Sequence, residues 1–263
     1  MERPKPLSGS PEDSRKKVGS LLKKDSSGAR SGSFPIKIDC QVCIDKPHSF
    51  CHVLQEKEEI LKLNTITNTM NVSPGKILME EGEEALNYFS VSSGTVKLFK
   101  LMPDGRRHII GFAGAGHFLG LTNDGKYSYS AEVLEETRLC RFSHSKLEQL
   151  FDLYPSLRKE ILKEAINLLA FSQDQMLLLG RKTSQEKVAS FLVVCRGKDI
   201  VENTVISLPM TRLDIADYLG LTMETVSRTF GWLKKQKMIS FLDSHHVKIE
   251  NPTALYDLAM GNG

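Results

Sequence analysis

From Asn71 to Phe142 the hydrophobic positions fall into short runs rich in β-branched and aromatic residues, among them Tyr88 to Val91, Thr95 to Phe99, His108 to Phe112 and Thr137 to Phe142. Glycines divide these runs at Gly75, Gly82, Gly94, Gly105, Gly114, Gly116 and Gly120, and each is expected to supply the positive φ of a tight turn. Many short strands at steady spacing predict an all-β barrel or roll. After Pro155 the period lengthens. Ile161, Ala165, Leu168, Ser172, Met176 and Leu179 recur at intervals of three or four, which predicts one helix of about 25 residues. Leu162, Ile166, Leu169, Leu177 and Leu178 fill the adjoining faces, so the apolar stripe is too wide for the roll alone. A second helix is implied. It is expected to be the same helix of a second copy, in a parallel homodimer, the competing reading being a helix buried inside one chain.

The segment Leu208 to Ile239 carries the densest local pattern. Thr211 can cap a first helix that turns Leu213, Ile215, Ala216 and Leu219 inward, Gly220 permits a tight turn, and Thr222 can cap a second helix. In the second helix Val226, Phe230 and Leu233 recur as an inner face, while Glu224, Ser227 and Arg228 share the opposite edge at i, i+3 and i+4. Two such helices form a helix-turn-helix, roughly Thr211 to Gln236, and those three side chains suit the major groove of double-stranded DNA. Arginine pairs bidentately with guanine, glutamate accepts from cytosine N4, and serine serves either role. Lys234, Lys235 and Lys237 lie at the far end, where phosphate contacts position without reading sequence. Beyond them Ile239 to Leu242 and Val247 to Ile249 alternate around Asp243 to His246, the pattern of a hairpin wing. The bland alternative is a helical hairpin with a polar face.

Composition narrows the picture. The chain has 263 residues, 40% of them hydrophobic and 25% charged, enough to bury a core and to form about two domains. A net charge of +3 gives no bulk attraction to nucleic acid, so affinity must come from a local patch. Residues 1–35 are rich in Pro, Ser, Gly, Lys and Arg without apolar periodicity, and read as a disordered tail. No apolar run approaches the ~20 residues of a membrane span, and the N-terminus lacks the apolar centre of a secretory signal, so a cytoplasmic location is expected. Five cysteines in such a reducing setting point to metal, redox chemistry or core packing rather than disulfides. There is no Gly-rich phosphate loop, nucleophile elbow or paired catalytic constellation, so no enzyme is expected.

The order of roll, long helix and winged helix-turn-helix resembles the CRP/FNR superfamily of bacterial transcription factors across roughly residues 40–252. The likeness is carried by Pro74-Gly75, Glu81-Gly82, Tyr88-x-x-Val91, Ser93-Gly94, the run Gln173 to Leu179 before Arg181-Lys182, and above all Thr211 to Arg228. It implies an α+β fold class: an N-terminal double-stranded β-helix, a jelly-roll of the cyclic-nucleotide-binding type, then a long dimerisation helix and a C-terminal winged helix-turn-helix. The expected layout is a tail at 1–39, a cluster-binding loop and β-roll sensor at 40–152, the dimerisation helix at 153–180, the DNA-binding domain at 181–252 and a C-terminal tail at 253–263. Glu224-x-x-Ser227-Arg228 is similar to the triplet that the FNR branch uses on a palindromic TTGAT-type half-site. The resemblance also implies an activator that contacts RNA polymerase. In the cyclic-AMP branch a Gly-Glu-Leu and an Arg-Ser supply the carboxylate and guanidinium that hold the nucleotide. Here the corresponding stretches read Phe118-Leu119-Gly120 and Tyr129-Ser130, which argues against a cyclic nucleotide, since an anion desolvated without a partner is costly.

The cysteines offer another effector. Cys40, Cys43 and Cys51 gather three thiols within twelve residues, and Cys140 lies far along the chain on an expected strand. A 4Fe-4S cluster needs one thiolate at each iron, and a loop can supply three while a strand supplies the fourth. The FNR branch holds an oxygen-labile cluster on N-terminal cysteines and one roll cysteine, which implies the same role for these four residues. Seven residues separate Cys43 from Cys51, a longer interval than in enteric members of the branch. As the resemblance implies, an intact cluster favours the dimer, and its loss to oxygen weakens dimer and DNA binding together. Glu160, Glu164 and Asp174 on the helix would oppose dimerisation in the cluster-free form. Two alternatives stay open: Cys40, Cys43, His48 and Cys51 can form a tetrahedral zinc site, or the chain is a cluster-free regulator with another effector or none. Cys195, inside the apolar run from Phe191, is expected in the core.

Overall fold

The structure, a computed structural model, describes residues 57–196 and 204–262. Cys40, Cys43, His48, Cys51 and the expected N-terminal tail lie outside these residues. The first described element is helix α1 (Lys57–Ile66), followed by eight strands: β1 (Thr67–Val72), β2 (Ile77–Met79), β3 (Asn87–Ser93), β4 (Val96–Leu101), β5 (Arg107–Ala113), β6 (Phe118–Leu119), β7 (Ser130–Val133) and β8 (Thr137–Ser143). They pair into two antiparallel four-stranded sheets, ordered β1-β8-β3-β6 and β2-β7-β4-β5. Alternation explains the pairing. Val72, Phe89, Val91, Val96, Ala131, Val133 and Leu139 turn to the space between the sheets and bury there as one core.

Two turn glycines are irreplaceable for steric reasons. At Gly94, with φ of 89°, an added Cβ would stand 2.7 Å from Thr137 Cα, and at Gly120, with φ of 93°, 2.9 Å from the Asn87 carbonyl oxygen. Gly114 departs from the expectation, because positive φ in its turn belongs to Gly116 while the Gly114 carbonyl accepts from the His117 N–H.

Strand β8 separates two cores. Leu139 faces the roll interior, while Cys140 and Phe142 face outward into a second cluster. That cluster contains Ile60 and Leu63 of α1, then Leu147, Leu150 and Phe151 of helix α2 (His144–Leu153), and Leu157 at the base of helix α3 (Pro155–Arg181). Helix α3 begins with proline at its first position, where the missing N–H is not needed. Its 27 residues match the expected length, yet only Leu157 and Leu178 are buried. Between them Leu162, Ile166, Leu169 and Met176 stand exposed, Met176 at 71%. This spacing of four, three and seven is a heptad seam with Gln173 at the intervening position.

The C-terminal unit comprises helix α4 (Ser184–Arg196), strand β9 (Val205–Ser207), helices α5 (Arg212–Leu219) and α6 (Met223–Lys235), strands β10 (Ile239–Phe241) and β11 (His246–Ile249), and helix α7 (Pro252–Met260). Strands β10 and β11 form the expected hairpin, and β9 adds a third strand to it. Residues 253–263, expected as a tail, instead contain most of α7. Asn251 caps it by accepting from the Ala254 N–H, and Leu255 and Ala259 are fully buried against the same core as α4. The spacing of Leu255, Leu258 and Ala259 behind an Asn-Pro start carried that signal. Among the described residues no helix is long and apolar enough to cross a membrane.

Candidate nucleic-acid interface

Both helices of the turn motif start on the caps expected. The Thr211 hydroxyl accepts from the Asp214 N–H at 3.0 Å while the Asp214 carboxylate accepts from the Thr211 N–H at 2.9 Å, a reciprocal capping box on α5. Gly220 ends α5 in the left-handed region, φ 61°, and Thr222 caps α6 by accepting from the Thr225 N–H at 3.2 Å. Ile215, Ala216 and Leu219 then pack against Val226, Phe230 and Leu233. Leu213 does not join them. It is 51% exposed, and the inward position that precedes Ile215 is taken by Asp214. The helical phase after the cap turns Asp214, Ile215 and Ala216 inward together, and a carboxylate bound to Thr211 can be buried there.

With Val226, Phe230 and Leu233 inside, Glu224, Ser227 and Arg228 are all exposed on the other edge of α6. The Glu224 carboxyl is held below its ordinary value by its own N–H at the helix start, by the Thr222 hydroxyl and by the nearby Arg228 charge. It is therefore ionised at neutral pH and acts only as an acceptor. Arg228 reaches back to the Thr225 hydroxyl at 3.5 Å, which leaves most of its donors facing out. Lys234, Lys235 and Lys237 are exposed at the far end of the helix.

Three features here escape sequence reasoning. The guanidinium of Arg212 lies 3.7 Å from the Phe230 ring centroid and 5.4 Å from that of Phe241, so one cation joins the start of α5, the core of α6 and the wing. The wing tip is braced by Asp243, whose carboxylate accepts from the His245 and His246 N–H groups at 2.7 and 2.8 Å. Lys237 has φ of 56°, the only non-glycine residue with positive φ among those described. It occupies the left-handed position behind α6, where Gly or Asn is usual.

Of the four expected cluster ligands only Cys140 is described. It is 5% exposed, on the face of β8 that meets α1, with its Sγ 4.0 Å from the Ser92 hydroxyl. Five residues separate Cys51 from the start of α1, a span of at most about 22 Å. Among the described residues no group of three or more His, Cys, Asp or Glu side chains could hold a metal ion. Cys195 packs against the core of the C-terminal unit, and burial pushes its thiol up to about 12, which keeps it protonated and unreactive.

The chain matches two family models, one for a cyclic nucleotide-binding domain at residues 69–154 and one for a Crp-like helix-turn-helix domain at residues 186–258. It is 35% identical to the nitrogen fixation regulation protein FixK of Bradyrhizobium diazoefficiens over 206 residues, 77% of this chain and 86% of that protein. It is 31% identical to the fumarate and nitrate reduction regulatory protein of Escherichia coli over 230 residues, 84% of this chain and 90% of that one. A solved structure of FixK2 from Bradyrhizobium japonicum superposes with a TM-score of 0.69 at 32% identity, covering 73% of this chain and 97% of that one.

Proposed function

The chain belongs to the CRP/FNR superfamily of DNA-binding transcriptional regulators, and on that premise we propose that it reads a palindromic TTGAT-type site as a dimer through Glu224, Ser227 and Arg228. A 4Fe-4S cluster on Cys40, Cys43, Cys51 and Cys140 makes that reading responsive to oxygen. The DNA contacts rest on one observation: α6 buries Val226, Phe230 and Leu233 and presents an arginine, an ionised glutamate and a serine on the edge left exposed. The relatives are regulators of gene expression rather than enzymes.

The residues described fit a thiolate site on β8. Cys140 shares its core with α1, the helix that directly follows the segment holding the other three thiols. When bound, the cluster would tie that segment to β8 by bonds that oxygen can break. The rest of the coupling belongs to the chain. Ile60 and Leu63 of α1, Cys140 and Phe142 of β8, and Leu157 of α3 form one packed cluster, so a shift of α1 reaches the base of the helix that carries the exposed seam.

The roll acts in this reading as a scaffold. Tyr129 stands where the cyclic-AMP branch has its arginine, and its hydroxyl lies 3.4 Å from the Gly120 N–H. Tyr127 donates to the Asn87 carbonyl at 2.8 Å and accepts from the Asn87 N–H at 3.1 Å. Both phenols thus serve the roll's own backbone rather than a phosphate.

Anaerobic purification followed by iron, sulfide and zinc analysis tests the cluster. About four irons with matching sulfide, and their loss in Cys140→Ser, are expected for the set of four thiolates. One zinc, or no metal, would point to a cluster-free regulator instead. Lys237 gives a separate check on the DNA reading. Lys237→Gly relieves the left-handed lysine and should raise stability by roughly 1 kcal/mol in denaturant titration. If the lysine contacts a phosphate, the same change should flatten the salt dependence of operator binding by about one ion for each half-site.

A further inference from the structure

The outer face of the β4–β5 hairpin is covered by the reading head. On β4, Val96 and Leu98 turn into the roll, so Lys97 and Phe99 face outward. An outward lysine on a sheet ordinarily meets water. Here Lys97 is 3% exposed, because α5 lies over it. Its Nζ is 3.2 Å from Asp214 Oδ1 and 3.0 Å from Glu132 Oε2. Arg107 of β5 completes the group. Its Nη2 donates to Asp214 Oδ1 at 2.9 Å and to Asp217 Oδ2 at 3.1 Å. Beside these ions an aromatic trio spans the joint, with Phe112 of β5 5.3 Å from Tyr218 of α5 and 6.1 Å from Phe191 of α4, ring centroid to centroid.

The two halves of the joint do different work. Aromatic packing favours contact but tolerates sliding, whereas two cations on defined carboxylate oxygens are satisfied in one register. Buried ion pairs add little net stability because desolvation offsets attraction, yet losing one partner strands the other. Asp214 is also the capping-box residue of α5, so the roll grips this helix at its first turn. Since α5 and α6 share a core, that grip sets where Arg228 points.

We propose that Lys97 and Arg107 are positioning residues for operator recognition: by holding Asp214 and Asp217 they fix the direction of α6 relative to the roll, and so the separation of the two reading heads in the dimer. This rests on the DNA reading given above. A head held in one register should prefer one half-site spacing, and a loosened head should not.

The test uses the full chain, purified anaerobically, with Lys97→Met, Arg107→Gln and Lys97→Arg. Binding is measured on a TTGAT palindrome and on the same palindrome with one base pair added or removed between half-sites. Lys97→Met and Arg107→Gln are expected to bind the unaltered palindrome about tenfold more weakly. They should lose less on the altered spacings, so that the preference narrows, and Lys97→Arg should restore most of it. Equal losses on all three spacings, or no loss, would overturn the proposal. Should Lys97→Met not fold, as judged by circular dichroism and melting, Arg107→Gln with Asp217→Asn carries the same comparison through the partly exposed pair. A wild-type protein without preference for the palindrome over unrelated DNA would instead refute the DNA reading itself.

Discussion

Arg228→Ala should remove most sequence-specific binding while leaving non-specific DNA affinity nearly intact. A bidentate arginine on guanine discriminates by about 1–3 kcal/mol. A dimer makes that contact twice, so the expected loss on the palindrome is about 2–6 kcal/mol, or on the order of 30-fold to 10⁴-fold. The fold should not suffer, because Arg228 is exposed and its hydrogen bond to the Thr225 hydroxyl is long, at 3.5 Å. Fluorescence anisotropy on the palindrome and on a copy with the contacted guanine replaced would check this. Wild type should distinguish the two and Arg228→Ala should not. Equal discrimination by both proteins would move recognition away from this residue.

A second large effect is expected at the seam of α3. Leu162, Ile166, Leu169 and Met176 lie on one line and are exposed, Leu162 at 60%, although a helix with so many apolar residues ordinarily buries them. Ile166→Glu would place a carboxylate against its own copy in the parallel dimer, desolvated and without a cation. The expected product is a folded monomer in sedimentation. Its operator affinity should drop by two to four orders of magnitude, since the second reading head would no longer bind as part of one molecule. Ile166→Leu, which keeps the volume, should remain dimeric. A dimeric Ile166→Glu would locate the interface on another face.

These two predictions draw on the parts of the protein that local pattern describes well. Threonine caps at 211 and 222, the left-handed Gly220 and the inner face at 226, 230 and 233 depend on residues within a few positions of one another, so each is legible without tertiary knowledge. The roll strands and the 27-residue helix are legible for the same reason, since alternation and a 3.6-residue period are properties of a short window. Where such reasoning missed, the cause is specific. Leu213 looked like a core position because leucines usually are, but the capping box rotated Asp214 into that place. Residues 253–263, expected as a tail, hold most of a helix that Asn251 and Pro252 begin.

The roll strands, the long helix, the two helices of the turn motif with the polar edge of α6, and Cys140 as a strand residue are all legible in local sequence pattern. That pattern did not determine which strand face the reading head covers. Lys97 looks like a solvent-facing lysine of an amphipathic strand, and Asp214 like a helix-capping carboxylate and nothing more. They lie 117 residues apart. Only the docking of α5 on β4 and β5 removes water from both and makes each the other's partner. Burial depends on which surfaces meet, and no window of neighbouring residues encodes that.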